Sequence, residues 1–528
     1  MNRQDALDQL RTAKDPLDII IVGGGATGLG AAVDAAARGH RVALVEQDDF
    51  AKGTSSRSTK LVHGGVRYLR QGNISLVLEA LRERGRLARN APHLVHDQAF
   101  VIPNYKWWEG PFYGIGMKVY DRLAGKLALS PSRFLSRKQT VEAIPTVETE
   151  HLTGGVIYHD GQFDDSRLAV NLAQTAAERG ACVVNYCRCT GLVKEHGFVS
   201  GVLARDMETG HQWEIRGRAV VNATGVFADA VRQYDEPAAP PLVAVSQGIH
   251  LVLPRAFLPG DAAIMVPKTA DGRVLFAVPW RGVVVVGTTD TPLPHASLEP
   301  RALDEERDFV MEHARRYLAT DPAEADVLSI FAGLRPLVNP GGAAHTAALS
   351  RDHSIVVSES GLVTITGGKW TTYRKMAEDV IDHAESVAGL EPKRCSTEGL
   401  PIHGSTQAAA AEPHLRVYGS DAAAIARLRQ QRPELAGRLH PDLPAEKVEV
   451  AWHAREEMAR TVEDVLARRT RCLILNARAS IEAAPGVAAL LAAELGRDAA
   501  WEAEQVARYT ELARGYVYTD PASRAERP

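Results

Sequence analysis

L-D-I-I-I-V-G-G-G-A-T-G-L-G, Leu17 to Gly30, is the stretch that decides the fold of this chain. Leu17 to Val22 is a short apolar run rich in β-branched residues, and it predicts a buried parallel strand. Gly23, Gly25 and Gly28 follow at G-x-G-x-x-G spacing. The alanine-rich, proline-free run from Ala26 to Arg38 predicts a helix, stopped by Gly39 and His40. A second strand is expected over Arg41 to Val45. Glu46 ends it, at the distance from the glycines where a carboxylate accepts hydrogen bonds from ribose hydroxyls. Strand, glycines, helix, strand and acid in that order argue for a bound dinucleotide rather than an empty tight turn. The pyrophosphate would sit at the helix N-terminus.

The chain then adds T-S-S-R-S-T-K-L-V-H-G-G-V-R-Y-L, Thr54 to Leu69. Hydroxyls and a lysine suit phosphate oxygens, and paired glycines leave room for a flat ring. At 528 residues the length corresponds to roughly three domains. With 61 basic against 65 acidic side chains there is no excess to neutralise a nucleic-acid backbone, so nucleic-acid binding is excluded and any anion site is local. Five cysteines without paired C-x-x-C spacing read as buried thiols, and no metal site is indicated. No apolar run approaches the ~20 residues of a membrane span, and no secretory signal is expected.

Farther along, Asp165 to Arg179 predicts an amphipathic helix and Ala181 to Tyr186 a strand, together another crossover unit. Arg218 to Asn222 predicts a strand entering the small-residue turn A-T-G, Ala223 to Gly225. Between Leu242 and Thr289 short strands with turns predict an antiparallel or mixed sheet. Leu362 to Thr366 followed by G-G-K-W-T-T-Y-R-K, Gly367 to Lys375, repeats a strand, glycines and helix start, the helix running to about Val387. Beyond Pro401 helical periodicity prevails, with Glu446 to Leu466 the most regular helix. The expected architecture is α/β (α+β overall). A discontinuous Rossmann-like domain spans 17–90, 150–240 and 345–395. A substrate or cap domain with an antiparallel sheet spans 91–149 and 241–344, and a C-terminal helical domain spans 400–520.

The fingerprint, the Thr54 to Leu69 extension and the Gly367 to Lys375 turn resemble the FAD-dependent glycerol-3-phosphate dehydrogenases, within the flavoproteins of the glutathione-reductase and D-amino-acid-oxidase type. A-T-G, G-T-T-D-T (Gly287 to Thr291), A-G-L-R-P-L (Ala332 to Leu337) and E-D-V-L-A-R-R-T-R (Glu463 to Arg471) extend the resemblance over most of the chain. It implies FAD as cofactor, with Gly23, Gly25, Gly28 and Glu46 on its adenosine and pyrophosphate side. Thr54, Ser55, Ser58 and Lys60 would face it too, with His63, Gly64 and Gly65 beside the isoalloxazine, and with Gly225 and Gly368 in the later turns. It implies sn-glycerol 3-phosphate as substrate, its phosphate held by Arg67, Arg335 and Lys369, with Tyr68 and Thr372 adding hydroxyls. His250, in S-Q-G-I-H-L-V, would be the base that takes the C2 hydroxyl proton, with His63 and His353 as competitors. Arg335 and Lys369 would assist.

Electrons would pass to a membrane quinone from an enzyme peripheral on the inner face of the cytoplasmic membrane, a bacterial form without calcium loop or transit peptide. Residues 104–138 mix Trp107, Trp108, Phe112 and Tyr113 with Lys106, Lys118, Arg122, Lys126 and Arg133, and would dock at a headgroup interface. A homodimer stays open, as does oxygen as acceptor. The rival readings are a flavoenzyme of another small anionic hydroxy or amino acid, and a flavin-binding module without turnover.

Overall fold

The first expected strand forms over Leu17–Val22 and pairs in parallel with Val42–Val45 on one side and with Gln212–Asn222 on the other. The computed structural model describes residues 1–65, 73–125, 130–267, 269, 274–339, 352–408 and 410–525. Cys182–Val184 extends this parallel sheet beyond Val42–Val45, and Leu362–Gly367 extends it beyond Gln212–Asn222. Residues 19–22, 42–45, 182–184, 219–222 and 362–366 of these strands are buried on both faces, as continuous apolar runs require. Helices Ala26–Ala37, Asp165–Glu178 and Tyr373–Val387 pack together on one face. The long strand Gln212–Asn222 also carries an antiparallel flap, Cys187–Glu195 with Phe198–Asp206.

A second sheet contains Val243–Pro254, paired with both Val283–Gly287 and Ser329–Val338. It continues through Leu275–Trp280, Ala263–Val266, His96–Asn104 and Gly154–Gln162. Every pair is antiparallel except Ala263–Val266 with His96–Asn104, so the sheet is mixed. The strand Gly154–Gln162 belongs to it, whereas the sequence reading placed residues from 150 onward with the first sheet.

The C-terminal helices, chiefly Lys447–Glu456, Ala477–Leu495 and Ala499–Arg514, close one face of the second sheet. Val450, Val465, Leu473 and Val487 share a core with Val252, Trp280, Val285 and Phe331. The helix expected over Glu446 to Leu466 is interrupted. It stops at Glu456, Met458 takes a left-handed conformation (φ 53°), and a π-helical turn follows over Asp464–Arg469. Buried charge explains the break. Glu457 turns inward to a two-pronged pair with Arg167 (2.6 and 2.8 Å), and Asp464 accepts the N–H groups of Arg460 and Thr461. Periodicity of apolar residues carries no sign of such pairs.

Candidate active site

A cleft of about 350 Å³ opens at the C-terminal ends of the parallel strands, within the range of small-molecule sites. The three motifs singled out in the sequence meet there. Gly23, Gly25, Glu46, Thr54, Ser55, Gly225, Gly368 and Lys369 all line it. Trp370 ties the motifs together, its indole N–H donating to the Ser55 carbonyl at 2.9 Å. Thr371 Oγ1 accepts the His63 N–H at 3.1 Å.

Local sequence explains the shape. Gly28 lies in the helix rather than on the cleft wall, and a Cβ there would stand 1.9 Å from the Gly23 carbonyl oxygen. Glycine thus lets the helix start directly beneath the turn, leaving its N-terminal N–H groups toward the cleft. A Cβ at Gly25 would reach into this space, 3.2 Å from Ser55 Oγ. Glu46 ends its strand with a carboxylate accepting the Gly24 and Asp48 N–H groups at 2.6 and 2.9 Å. Loss of water raises its pKa to about 7, against those two bonds. The Ala26 N–H at the helix start donates to Ser55 Oγ at 2.9 Å, and this helix N-terminus, the small-residue walls and an acid at the end of the second strand fit the pyrophosphate and ribose of FAD.

Other expected residues lie elsewhere. Ser58 Oγ and Lys60 Nζ turn away from the cleft and both bind Asp165, at 2.7 Å each. Lys60 is fully buried and spans to the Ser56 carbonyl. Burial lowers its pKa to about 8, against the pull of Asp165. On its Cβ side Gly64 makes room for protein: a Cβ there would meet Leu81 and the Tyr120 hydroxyl at 2.4 Å. The Tyr120 hydroxyl accepts the Gly64 N–H. His63 Nδ1 accepts the Gly65 N–H within the same turn. Thr372 is buried, its hydroxyl donating to the Lys369 carbonyl. His353 pairs with Asp379 at 3.0 Å and does not line the cleft. Arg67, Tyr68 and Lys126 lie outside the described residues.

Arg335 and His250 share one face of the second sheet, because Arg335 pairs with Ser246 and Phe331 with His250 in the same antiparallel register. The Arg335 guanidinium lies over Gly248 and is held by the carbonyls of Gln247 and Thr289 and by Asp290 at 3.2 Å. A cation so tethered, with its side chain 26% exposed, is fixed yet accessible. His250 is sealed, 3% exposed, its ring stacked on Phe331 at 4.7 Å between centroids. Burial, and then the charges of Lys60 and Arg335, push its pKa well below that of a free imidazole, so it is neutral at neutral pH.

The sequence reading missed the charge lattice behind the cleft. Asp49 is buried and binds Arg469 and Arg468, the latter at 2.5 Å. Lys52 bridges Glu463 and Glu299, and Arg57 also binds Glu299 at 2.8 Å. Arg471 reaches the Ser56 carbonyl at 2.6 Å and Asp165 at 3.0 Å. The loop from Asp49 to Lys60 is thereby pinned by the C-terminal domain. The signal available was the pair of acids followed by three arginines over Glu463 to Arg471, a segment that entered only through the resemblance.

Residues 18–374 match the family model described as FAD dependent oxidoreductase, and residues 360–502 match the C-terminal domain of alpha-glycerophosphate oxidase. A probable mitochondrial glycerol-3-phosphate dehydrogenase of Caenorhabditis elegans is 40% identical over 98% of this chain and 75% of its own length. The mitochondrial glycerol-3-phosphate dehydrogenase of Homo sapiens is 38% identical over 95% of this chain and 73% of its own. Among solved structures, the glycerol-3-phosphate dehydrogenase of Bacillus halodurans complexed with FAD superposes with a TM-score of 0.81 at 28% identity, covering 99% of both chains.

Proposed function

Because this chain belongs to the FAD-dependent glycerol-3-phosphate dehydrogenase family, we propose that it oxidises sn-glycerol 3-phosphate to dihydroxyacetone phosphate and passes the electrons to a membrane quinone. The observation that carries the reading is the junction of three motifs at one cleft, where Trp370 and Thr371 fasten the lysine-bearing turn to the loop after the fingerprint. FAD, when bound, supplies the acceptor for the hydride leaving C2. The chain's own residues do the rest. The fingerprint turn and Glu46 hold the dinucleotide half of the cofactor. Thr54, Ser55 and Lys369 line the path toward the ring.

Arg335 and Lys369 offer a charge pair to the substrate phosphate, with Arg67 as a third cation. Phosphate favours this reading over a carboxylate substrate, because a dianion uses several convergent cations. His250 accepts the C2 hydroxyl proton. Its neutrality keeps the ring in the accepting form, and a bound dianion beside Arg335 offsets the positive charge that holds its pKa down. The test is anaerobic mixing of the yellow protein with glycerol 3-phosphate: the flavin band bleaches if the reading holds and persists if it fails.

Among the described residues no helix is long and apolar enough to cross a membrane. Trp107, Phe112, Ile115 and Phe134 are 85, 53, 65 and 55% exposed, on and beside the helix Glu109–Ala124, with Lys106, Lys118 and Arg122 in the same segment. Exposed apolar rings rimmed by cations suit a lipid headgroup surface, and this is the face we assign to quinone exchange. Burying Trp107 and Ile115 in acyl chains contributes about 1.5–3 kcal/mol each. The double variant Trp107→Ser/Ile115→Ser is therefore expected to lose at least ~100-fold in partition to anionic vesicles, with glycerol 3-phosphate still bleaching the flavin. Unchanged vesicle binding overturns the assignment.

A further inference from the structure

His250 poses a problem for the reaction proposed above, on which this inference rests. A base must touch the proton it takes, yet this ring is closed in. Phe331 covers one face, and the Cδ2 edge abuts Gly287, where a Cβ would approach to 2.4 Å. Nδ1 has no hydrogen-bond partner among the described residues. Nε2 has one, the Thr59 hydroxyl at 2.9 Å. Thr59 is half-buried, whereas His250 is buried. We infer that Thr59 is the proton relay of this enzyme, joining the substrate's C2 hydroxyl to His250.

The neighbouring residues explain why Thr59 stays in place. Ser58 and Lys60 are both drawn to Asp165, and Arg471 holds Asp165 and the Ser56 carbonyl from the far side. These bonds clamp the chain on either side of Thr59 and leave its side chain directed at the sheet that carries His250. A relay needs such fixation, since proton transfer between hydroxyl and imidazole falls off steeply beyond hydrogen-bond contact. In the step, the substrate O–H proton moves to Thr59 Oγ1 as the Thr59 hydroxyl hydrogen moves to Nε2. The C2 hydride leaves with its electron pair to the oxidant the reaction already supplies, the C2–O bond becomes a carbonyl, and His250 becomes imidazolium. Thr59 ends with one hydrogen, as it began.

This assignment requires Nε2 to be the bare nitrogen in the resting enzyme, with the ring hydrogen on Nδ1. The test combines that property with rates, in the FAD-loaded protein. Histidine ¹⁵N shifts, with the His250 signals identified by their loss in His250→Asn, are expected to report an unprotonated, hydrogen-bonded Nε2 that loses its bond in Thr59→Val. A protonated Nε2 in the wild type overturns the relay. In anaerobic stopped flow with glycerol 3-phosphate, Thr59→Val is expected to slow flavin reduction by ~100-fold or more, the scale of general base catalysis. Thr59→Ser, which keeps the hydroxyl, should recover to within about tenfold of wild type, and Thr59→Val/His250→Asn should be no slower than its slower parent. Reduction of Thr59→Val at the wild-type rate overturns the relay alone when His250→Asn remains slow. A fast His250→Asn, or a wild type that glycerol 3-phosphate does not reduce, overturns the underlying reading as well.

Discussion

Asp49→Ala is expected to destabilise the protein by about 3–5 kcal/mol, the cost of breaking a buried ion pair from one side. The carboxylate is fully buried and carries two arginines from the C-terminal domain, Arg468 at 2.5 Å and Arg469, together with the Asn185 amide at 3.1 Å. Burial alone would raise its pKa, but the Arg469 and Arg468 charges hold it below the ordinary aspartate value. Removing it leaves Arg469 with the Glu457 backbone carbonyl at 2.8 Å and, as its nearest remaining carboxylate oxygen, Glu457 at 3.7 Å. Asp49 also precedes Ala51, Lys52 and Gly53 on the cleft wall, so loosening it should weaken FAD retention along with stability. Thermal unfolding and FAD release measured together check this. Unfolding and FAD retention like the wild type would contradict a C-terminal domain that pins the cofactor loop.

The same lattice sets an acid limit. Arg167 and His453 hold Glu457 at about 2 despite its burial, and Lys60 and Arg471 keep Asp165 below its ordinary value. A carboxylate depressed in the folded state contributes stability that is complete above its unfolded value of ~4 and is lost as pH falls through the folded value. For Glu457 that window runs from ~4 down to about 2.

Arg335→Met is the second large effect, and it falls on catalysis rather than folding. Removing one partner of a buried, hydrogen-bonded charge pair costs about 2–5 kcal/mol in binding, so kcat/KM for glycerol 3-phosphate should fall ~30- to several-thousand-fold. The guanidinium is anchored by carbonyls and Asp290, so the substitution removes a fixed charge without emptying the apolar core. Glycerol, which lacks the phosphate, provides the control. Its slow oxidation should change by no more than a few-fold. An equal loss with both substrates would instead place Arg335 in the chemical step.

The fingerprint half of the fold was legible because local signals and tertiary fate agree there. Leu17–Val22 has one stable environment, buried between two parallel strands, and its glycines have one geometric purpose. Thr54, Ser55, Gly368 and Lys369 were legible as a cleft for the same reason. Ser58 and Lys60 were not, because a hydroxyl and a lysine near a phosphate-binding turn suit a phosphate and a buried aspartate equally well. Which one they meet depends on Asp165, more than a hundred residues away. The crowding at Gly64 was not legible either, since its missing side chain makes room for Tyr120, 56 residues away. The break after Glu456 shows the limit of periodicity, which reports apolar faces and is blind to the paired charges that turn a helix aside.

The most direct measurement of the central claim is anaerobic titration of the FAD-loaded protein with sn-glycerol 3-phosphate, followed by the flavin's visible band. The account predicts complete bleaching with dihydroxyacetone phosphate formed in equal amount to the flavin reduced. A band that persists at saturating glycerol 3-phosphate, or that bleaches without dihydroxyacetone phosphate, would contradict it.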